Sequence, residues 1–382
     1  MSADLSCYNI ADLRERARRR LPLGIWEYAE RGVEDECGMA RNRAAFDAIT
    51  FRPRVLRGVE TIDTTTEVFG KPLPFPLAVA PTGAAGLMWH KGDLALARAA
   101  ARAGVPFIIS SASTMDLEQI LEAGGRQWFQ LYLWEDRSLS HKVVDKAWHL
   151  GCEALFVTLD LPVPPNREYI QRNGFGTPFR LNARNAFDVL THPRWLAGVM
   201  GRYALEGGIP TQANLPDRLR SKVTKGAPPG ALFKQDDLDW DGVRKLRDRW
   251  PGKFVLKGIL HPEDAERALA MGADGIVVSN HGGRAFDCSM ASMEALPAIV
   301  DAVGGKMTVF LDSGVRRGSD VVKAVASGAD AVLAGRAPLY GLAAYGEPGV
   351  ARALELLRAE TARTMAMLGA RSIAEVKMAL TG

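Results

Sequence analysis

From residue 76 onward the chain repeats one unit, a short apolar run that ends in a polar residue and is followed by an Ala-rich stretch. The runs fall at 77–80, 107–109, 128–131, 155–159, 254–256, 275–278, 308–311 and 331–334. Continuous apolar runs of this length, bounded by turn residues, suit strands covered on both faces. The stretches between them carry helix punctuation. In 262–271 a proline and two acids occupy the first turn and Gly272 follows the end, which is how a helix is capped. Lys91 to Ala103, closed by Gly104, has the same pattern. Strand followed by helix, eight times over, imposes parallel pairing through helical crossovers, and eight parallel strands close into a (β/α)8 TIM barrel, the α/β fold class expected here. The competing architecture is an open doubly wound sheet. No GxGxxG turn follows the first run or any other, and the barrel is the better reading.

Two regions stand outside the repeat. Residues 1–75 form a helical and irregular N-terminal extension, and about 161–252 form a long insertion after strand four. Length alone would allow the 382 residues two or three domains, but barrels with insertions often run this long as one. We expect a single barrel domain over 1–382. The Pro164-Pro165, Gly207-Gly208 and Pro228-Pro229 clusters predict a mobile loop within the insertion.

Composition narrows the partners. The net charge is +4, and the basic residues are scattered rather than gathered into a stripe, so nucleic acid is not expected. Cys7, Cys37, Cys152 and Cys288 form no CxxC pair, which argues against a disulfide framework or a zinc site and for a reducing, cytoplasmic setting. No run approaches the ~20 apolar residues of a membrane-spanning helix. The chain reads as soluble, or at most peripheral on the inner membrane. In the insertion Trp195, Leu196, Val199, Met200 and Tyr203 make an apolar helical face with Arg194 and Arg202 nearby, suited either to protein packing or to a lipid surface.

Barrel active sites gather at the C-terminal ends of the strands. Those positions hold Pro81-Thr82-Gly83, Ser110, Gln130 with Tyr132, Thr158 with Asp160, Lys257, Ser279 with His281 and Arg284, Asp312, and Gly335-Arg336. One such residue is ordinary turn chemistry; a polar group on every strand is a ring of functional groups. After the last two runs come Asp312-Ser-Gly-Val-Arg-Arg-Gly318 and Gly335-Arg336. Glycines that admit close backbone approach, with arginine forks beside them, suit a bound phosphate at the place where barrels usually hold one. Ser279-Asn-His-Gly-Gly-Arg284 is the sharpest local signal. It can aim a histidine base and a carboxylate clamp into one pocket.

With these motifs, and with Trp128-Phe-Gln-Leu-Tyr132 and Val255-Leu-Lys-Gly258, nearly the whole chain resembles the FMN-dependent 2-hydroxy-acid dehydrogenase and oxidase family. That family includes glycolate oxidase, L-lactate dehydrogenase and (S)-mandelate dehydrogenase. The resemblance implies an FMN oxidoreductase that turns a 2-hydroxy acid into a 2-oxo acid. It makes His281 the base, with Asp160 steadying its imidazolium form, and Lys257 the cation beside the flavin ring. Arg167 and Arg284 would hold the substrate carboxylate, while Tyr28 and Tyr132 would hydrogen-bond the substrate. Pro81, Thr82, Gly83, Ser110, Gln130, Thr158 and Ser279 would line the cofactor. Asp312, Ser313, Gly314, Arg316, Gly335 and Arg336 would take its phosphate end.

Within the family, Cys288 to Glu294 and Lys91 to Arg98 resemble the mandelate branch. Gly83 stands where members that react readily with oxygen often carry alanine. This implies an acceptor other than oxygen, such as a quinone or a cytochrome. An oxidase producing hydrogen peroxide, an L-lactate dehydrogenase and an enzyme acting on a peptide-derived redox cofactor are the alternatives. The resemblance also implies a homo-oligomer, a tetramer. Ala285-Phe286 departs from the family's usual Gln-Leu. It lies close to the expected pocket, as do Leu87, Met88 and Trp89, which would suit a large apolar or aromatic substituent.

Overall fold

The computed structural model describes residues 6–378 except 177, 178, 181, 207, 216–218, 223, 224 and 226–232. Eight parallel strands close a barrel: β1 Leu77–Val79, β2 Phe107–Ser110, β3 Gln127–Leu131, β4 Ala154–Thr158, β5 Lys253–Ile259, β6 Gly275–Val278, β7 Thr308–Leu311 and β8 Ala331–Ala334. Each pairs with the next, and β8 pairs back onto β1 through Val332 opposite Leu77.

Alternation along the strands divides the core into two parts. Ala78, Ile108, Trp128, Phe156, Val255, Val277, Phe310 and Leu333 point inward and fill the barrel. Their neighbours Leu77, Val79, Ile109, Phe129, Leu155 and Val157 point outward against the helices. The period of two explains why every run had to be apolar throughout. Trp128 stacks on Phe156 with ring centroids 5.3 Å apart. Phe69 then caps the bottom of the barrel edge-on to Trp128 and Phe310, at 5.7 Å from each. Phe69 sits at the turn of an antiparallel hairpin, Thr66–Val68 with Lys71–Leu73, which the irregular reading of 1–75 did not anticipate.

The extension also carries three helices, α1 Ile10–Arg20, α2 Leu23–Glu30 and α3 Cys37–Ala48. Asn9 caps α1 by accepting from Asp12 N–H, and three arginines close its last turn, both favourable to the helix dipole. Helix α3 has no side-chain cap of its own, since Glu36 at its start is left-handed and its carboxylate turns back to Gly32 N–H and Arg31. A distant residue serves instead, with Asp287 accepting from Cys37 N–H at 3.2 Å and Gly38 N–H at 2.7 Å.

In the insertion, the face expected at Trp195, Val199 and Tyr203 is buried. Trp195 Nε1 donates to Leu87 O at 2.7 Å, and the Tyr203 hydroxyl accepts from Lys91 N–H. Leu196 and Met200 pack against the core as well. That face packs on protein and is not a free membrane surface. Between residues 187 and 205 the exposed large apolar side chains are Phe187, Leu190 and Leu205. Of the clusters on which the mobile-loop expectation rested, Gly207 and Pro228-Pro229 lie outside the described residues. Among the described residues no helix is long and apolar enough to cross a membrane.

Candidate active site

A cavity of about 460 Å³ opens at the C-terminal end of the barrel. Of the residues expected at the site, Tyr28, Pro81, Thr82, Gly83, Tyr132, Thr158, Arg167, Lys257, His281, Arg284, Asp312, Ser313, Gly314, Arg316, Gly335 and Arg336 line it. The other four stand behind the wall. Ser110 Oγ donates to Gln130 Oε1 at 3.0 Å and Gln130 Nε2 donates to Thr158 Oγ1 at 2.9 Å, a buried chain that fixes the Thr158 hydroxyl. Ser279 Oγ accepts from Lys257 Nζ at 2.7 Å and from His281 N–H at 3.0 Å. Asp160 lies behind His281.

His281 is held at both ring nitrogens. Nδ1 meets Asp160 Oδ1 at 2.8 Å, and Nε2 meets the Tyr132 hydroxyl at 3.1 Å. The contact with ionised Asp160 implies a proton on Nδ1, which leaves the Nε2 lone pair to accept from the Tyr132 hydroxyl at the cavity wall. Burial is the largest influence on the imidazole and, despite Asp160, holds its pKa below the ordinary value. Burial disfavours the Asp160 carboxylate, but His281 and then Lys257 outweigh it and lower its pKa. Burial also works against the Lys257 charge, and Asp312 and Asp160 overcome it, keeping the ammonium above its usual range. Its Nζ lies 3.0 Å from Asp312 Oδ2 and 4.0 Å from Asp160 Oδ2. The Tyr132 phenol is raised, chiefly by burial. The neutral state of this group is therefore a histidine ready to accept a proton, beside a permanent cation.

The backbone supports this arrangement. His281 adopts φ 59°, followed by Gly282 at 68° and Gly283 at 71°. A left-handed histidine costs on the order of 1 kcal/mol or more, and neighbouring bonds hold it there. Gly282 N–H donates to Ser313 Oγ at 2.9 Å, and Arg336 Nη1 donates to Gly282 O at 2.9 Å. A Cβ on Gly283 would lie 2.6 Å from Met39 N, so only glycine fits. On β5 the register slips between Lys257 and Ile259. This is a bulge of the kind that re-aims a side chain beside a site. Gly258, at φ +105°, lets Asp160 approach, since a Cβ there would lie 2.6 Å from the Asp160 Cβ. The bulge also carries β5 beyond the run at 254–256, which had ended before the bulge glycine.

Two arginines flank the opposite wall. Arg167 Nη2 donates to Arg284 O at 3.1 Å, and its Nε is buried without a partner. The Arg284 guanidinium lies over the Tyr28 ring at 5.3 Å. Deeper in the cavity Arg336 has both Nε and Nη2 buried and unpartnered, and so is Thr82 Oγ1. Burial, with Arg316 and Arg284 adding to it, drops the Arg336 pKa to about 9. Buried guanidinium donors that lack acceptors call for an anion. Arg336, Arg316, Ser313, Gly314 and Gly335 surround the place it would take. A group with a phosphate at one end and a flat, largely apolar body would be held by the arginines at that end. Its body would lie along Ala80, Pro81 and Leu333, so the residues present fit FMN.

Some expectations about the pocket change. Met88 lines the cavity, but Leu87 and Trp89 do not; Trp89 lies under the Arg20 guanidinium at 4.3 Å instead. Ala285 and Phe286 are not on the wall, and Phe286 is exposed. Pro164 and Pro165 are on it. Phe233 and Gln235, which no motif singled out, line the cavity too. They come from the end of the insertion, where no periodicity marks a position. Glu30 and Tyr340 were also unsignalled. They bond to one another behind Arg316, which lies 5.6 Å over the Tyr340 ring.

Residues 17–381 match the family of FMN-dependent dehydrogenases. The (S)-mandelate dehydrogenase of Pseudomonas putida is 42% identical over 367 residues, covering 96% of this chain and 91% of that protein. An L-lactate dehydrogenase of Bartonella quintana (strain Toulouse) is 40% identical over 370 residues, covering 96% and 95%. Among solved structures, the monotopic membrane protein (S)-mandelate dehydrogenase matches with a TM-score of 0.90 at 40% identity over 98% of each chain. Mandelate oxidase with (S)-2-phenylpropionate matches with a TM-score of 0.81 at 37% identity over 97% of each. With the barrel, the charged cavity and this likeness along almost its whole length, the chain belongs to the FMN-dependent dehydrogenase family and is an FMN-dependent oxidoreductase.

Proposed function

We propose that this protein, as one barrel domain, oxidises an (S)-2-hydroxy acid of mandelate-like character to the 2-oxo acid and passes the electrons to an acceptor other than oxygen. The observation that carries the proposal is the Asp160–His281–Tyr132 chain, which opens into a cavity with a buried lysine on one side and unpartnered arginine nitrogens on the other. FMN, when bound, supplies the two-electron acceptor. Arg336, Arg316, Ser313 and Gly314 would hold its phosphate, and Thr82, Gly83, Thr158 and Lys257 would face its ring. Arg167 and Arg284 clamp the substrate carboxylate, which fixes C2 near His281. Tyr28 and Tyr132 orient the hydroxyl. His281 Nε2 takes the proton the substrate gives up, and Asp160 stabilises the imidazolium that results. Lys257, cationic throughout, offsets negative charge arriving beside it.

Gly83 stands where family members that react readily with oxygen often carry alanine, and this supports an acceptor other than oxygen. A Cβ there would lie 3.2 Å from the Ala112 Cβ and 3.4 Å from the Tyr28 hydroxyl, so the glycine keeps that wall open. A peripheral membrane site is the finer reading of where the protein works. It is supported by exposed Phe187, Leu190 and Leu205 with exposed Arg184, Arg194 and Arg202 beside them, and by the monotopic character of the related (S)-mandelate dehydrogenase. Assembly as a homo-oligomer, a tetramer by family resemblance, belongs to the same proposal.

The test is anaerobic bleaching of the bound flavin by (S)-mandelate, L-lactate and glycolate. Rapid bleaching by one or more of them is expected, and a yellow protein bleached by none would refute the 2-hydroxy-acid reading. Peroxide formed in air at the full turnover rate would replace the dehydrogenase with an oxidase.

A further inference from the structure

The returning arm of the insertion is tied to the strand ends. Lys234 N–H donates to Leu133 O at 3.0 Å, and Gln235 Nε2 donates to Thr158 O at 2.5 Å. Phe233 forms an antiparallel bridge with Trp134. This places the Phe233 ring against Tyr132, with centroids 5.1 Å apart and planes tilted by 53°. Its second neighbour is Trp134, at 5.7 Å and 28°. Tyr132 is the residue bonded to His281 Nε2, and its ring lies 6.2 Å from the imidazole. Phe233 is thus one aromatic ring removed from the reacting centre. It lines the cavity while remaining 39% exposed, which leaves apolar ring surface open to whatever enters. Met88, Ala112, Val163 and Pro164 continue that wall.

We propose that Phe233 determines specificity, by forming the wall that receives the C2 substituent and selecting 2-hydroxy acids that carry an aromatic ring over those that carry a methyl. The inference rests on the function proposed above and names the side of the cavity that reads the substrate. A substrate whose hydroxyl is within hydrogen-bond reach of His281 Nε2 has its C2 beside the Tyr132 hydroxyl. A methyl on that carbon ends one bond away and leaves Phe233 untouched. A phenyl extends a full ring further, where offset or edge-on packing against Phe233 becomes available, since such pairs prefer centroids roughly 4.5–7 Å apart. Arg167 and Arg284 grip the carboxylate on the other side, so the substituent has a fixed direction.

The experiment compares wild-type holoenzyme with Phe233→Leu, Phe233→Ala and Phe233→Tyr. It measures kcat/KM for (S)-mandelate and L-lactate, and the calorimetric Kd of the product acids benzoylformate and pyruvate. Phe233→Leu should lower kcat/KM for mandelate roughly ten-fold and leave lactate within about two-fold. Phe233→Ala should lower mandelate further, and Phe233→Tyr should restore the wild-type ratio. Equal losses on both acids would make Phe233 a mere cover for Trp134 and overturn the proposal, as would an unchanged mandelate-to-lactate ratio. FMN content and circular dichroism report folding, and if the alanine variant fails them the leucine variant decides. A wild-type protein that oxidises neither acid would refute the underlying function. The benzoylformate-to-pyruvate binding ratio, and its loss in Phe233→Leu, would still judge Phe233 separately.

Discussion

Replacing Asp160 with asparagine keeps the shape of the group behind His281 and removes its charge. Asp160 Oδ1 and His281 Nδ1 are 2.8 Å apart, which puts the centres of a carboxylate and an imidazolium ~4 Å apart, worth on the order of 4 kcal/mol at an effective dielectric constant near 20. The asparagine oxygen still accepts a hydrogen bond, so between half and all of that energy is lost when His281 takes up a proton. At about 1.4 kcal/mol per decade this slows substrate oxidation by roughly 30- to 1,000-fold. The pH profile gives a second, independent sign. Burial already depresses the His281 pKa, and Asp160 works against that depression. With His281 as the proposed base its neutral form is the working one, so the wild-type rate should fall on an acid limb that lies below the ordinary histidine range. Removing Asp160 depresses the pKa further, and the limb should slide to lower pH while the plateau drops. The assay is stopped-flow flavin reduction from acid to neutral pH, with FMN content checked in each sample. A plateau within three-fold of wild type, or an acid limb that moves upward, would refute the role given to Asp160.

Lys257→Met should be costly in a different way, because it strips Asp312 and Asp160 of their shared cation. Leaving buried carboxylates unpaired costs about 3–5 kcal/mol, read as a lower urea midpoint at neutral pH, and the deficit should narrow as falling pH protonates them; an unchanged midpoint would discount the network. Arg336→Lys replaces a planar fork having two unpartnered nitrogens with a single ammonium. FMN affinity should fall ten-fold or more in a fluorescence titration, and an unaltered Kd would remove Arg336 from the phosphate site. Phe187→Glu with Leu190→Glu should abolish co-sedimentation with anionic vesicles while leaving flavin reduction by a soluble substrate as it was. Retained sedimentation would move the membrane contact elsewhere.

The barrel was legible because its signal is repeated. Eight runs with the same boundaries specify a parallel closed sheet even when single strand ends are misjudged, as at β5. The ring of polar groups was legible for the same reason, since a barrel gathers strand ends in one place. What could not be read depends on contacts remote in sequence. The apolar face from Trp195 to Tyr203 was visible, but its partners, Leu87 O and Lys91 N–H, are supplied by the segment after β1, and periodicity carries no address. Phe233 and Gln235 reach the cavity because the insertion returns along β3 and β4, a path that no local pattern marks. The left-handed backbone of His281 was also hidden. The two glycines announce a turn, but nothing in them shows that the histidine itself shares the conformation.

That conformation explains why an extension outside the repeat belongs to the active site. A strained histidine keeps its aim only if the surroundings over-determine it, and α3 with the segment before it does much of this. Val33 N–H donates to Gly283 O at 3.0 Å, and Arg284 Nη1 donates to Arg31 O at 2.6 Å. Asn42 and Asn280 exchange amide bonds of 2.8 and 2.9 Å, so the residue preceding His281 is locked to α3. Asp287 completes the exchange by capping α3 from the far end of the same loop. The loop stabilises the helix and the helix fixes the loop, each supplying what the other lacks locally. The barrel therefore provides the positions of the candidate catalytic side chains, while α3 and the segment before it provide the rigidity that lets His281 hold a geometry its own backbone disfavours.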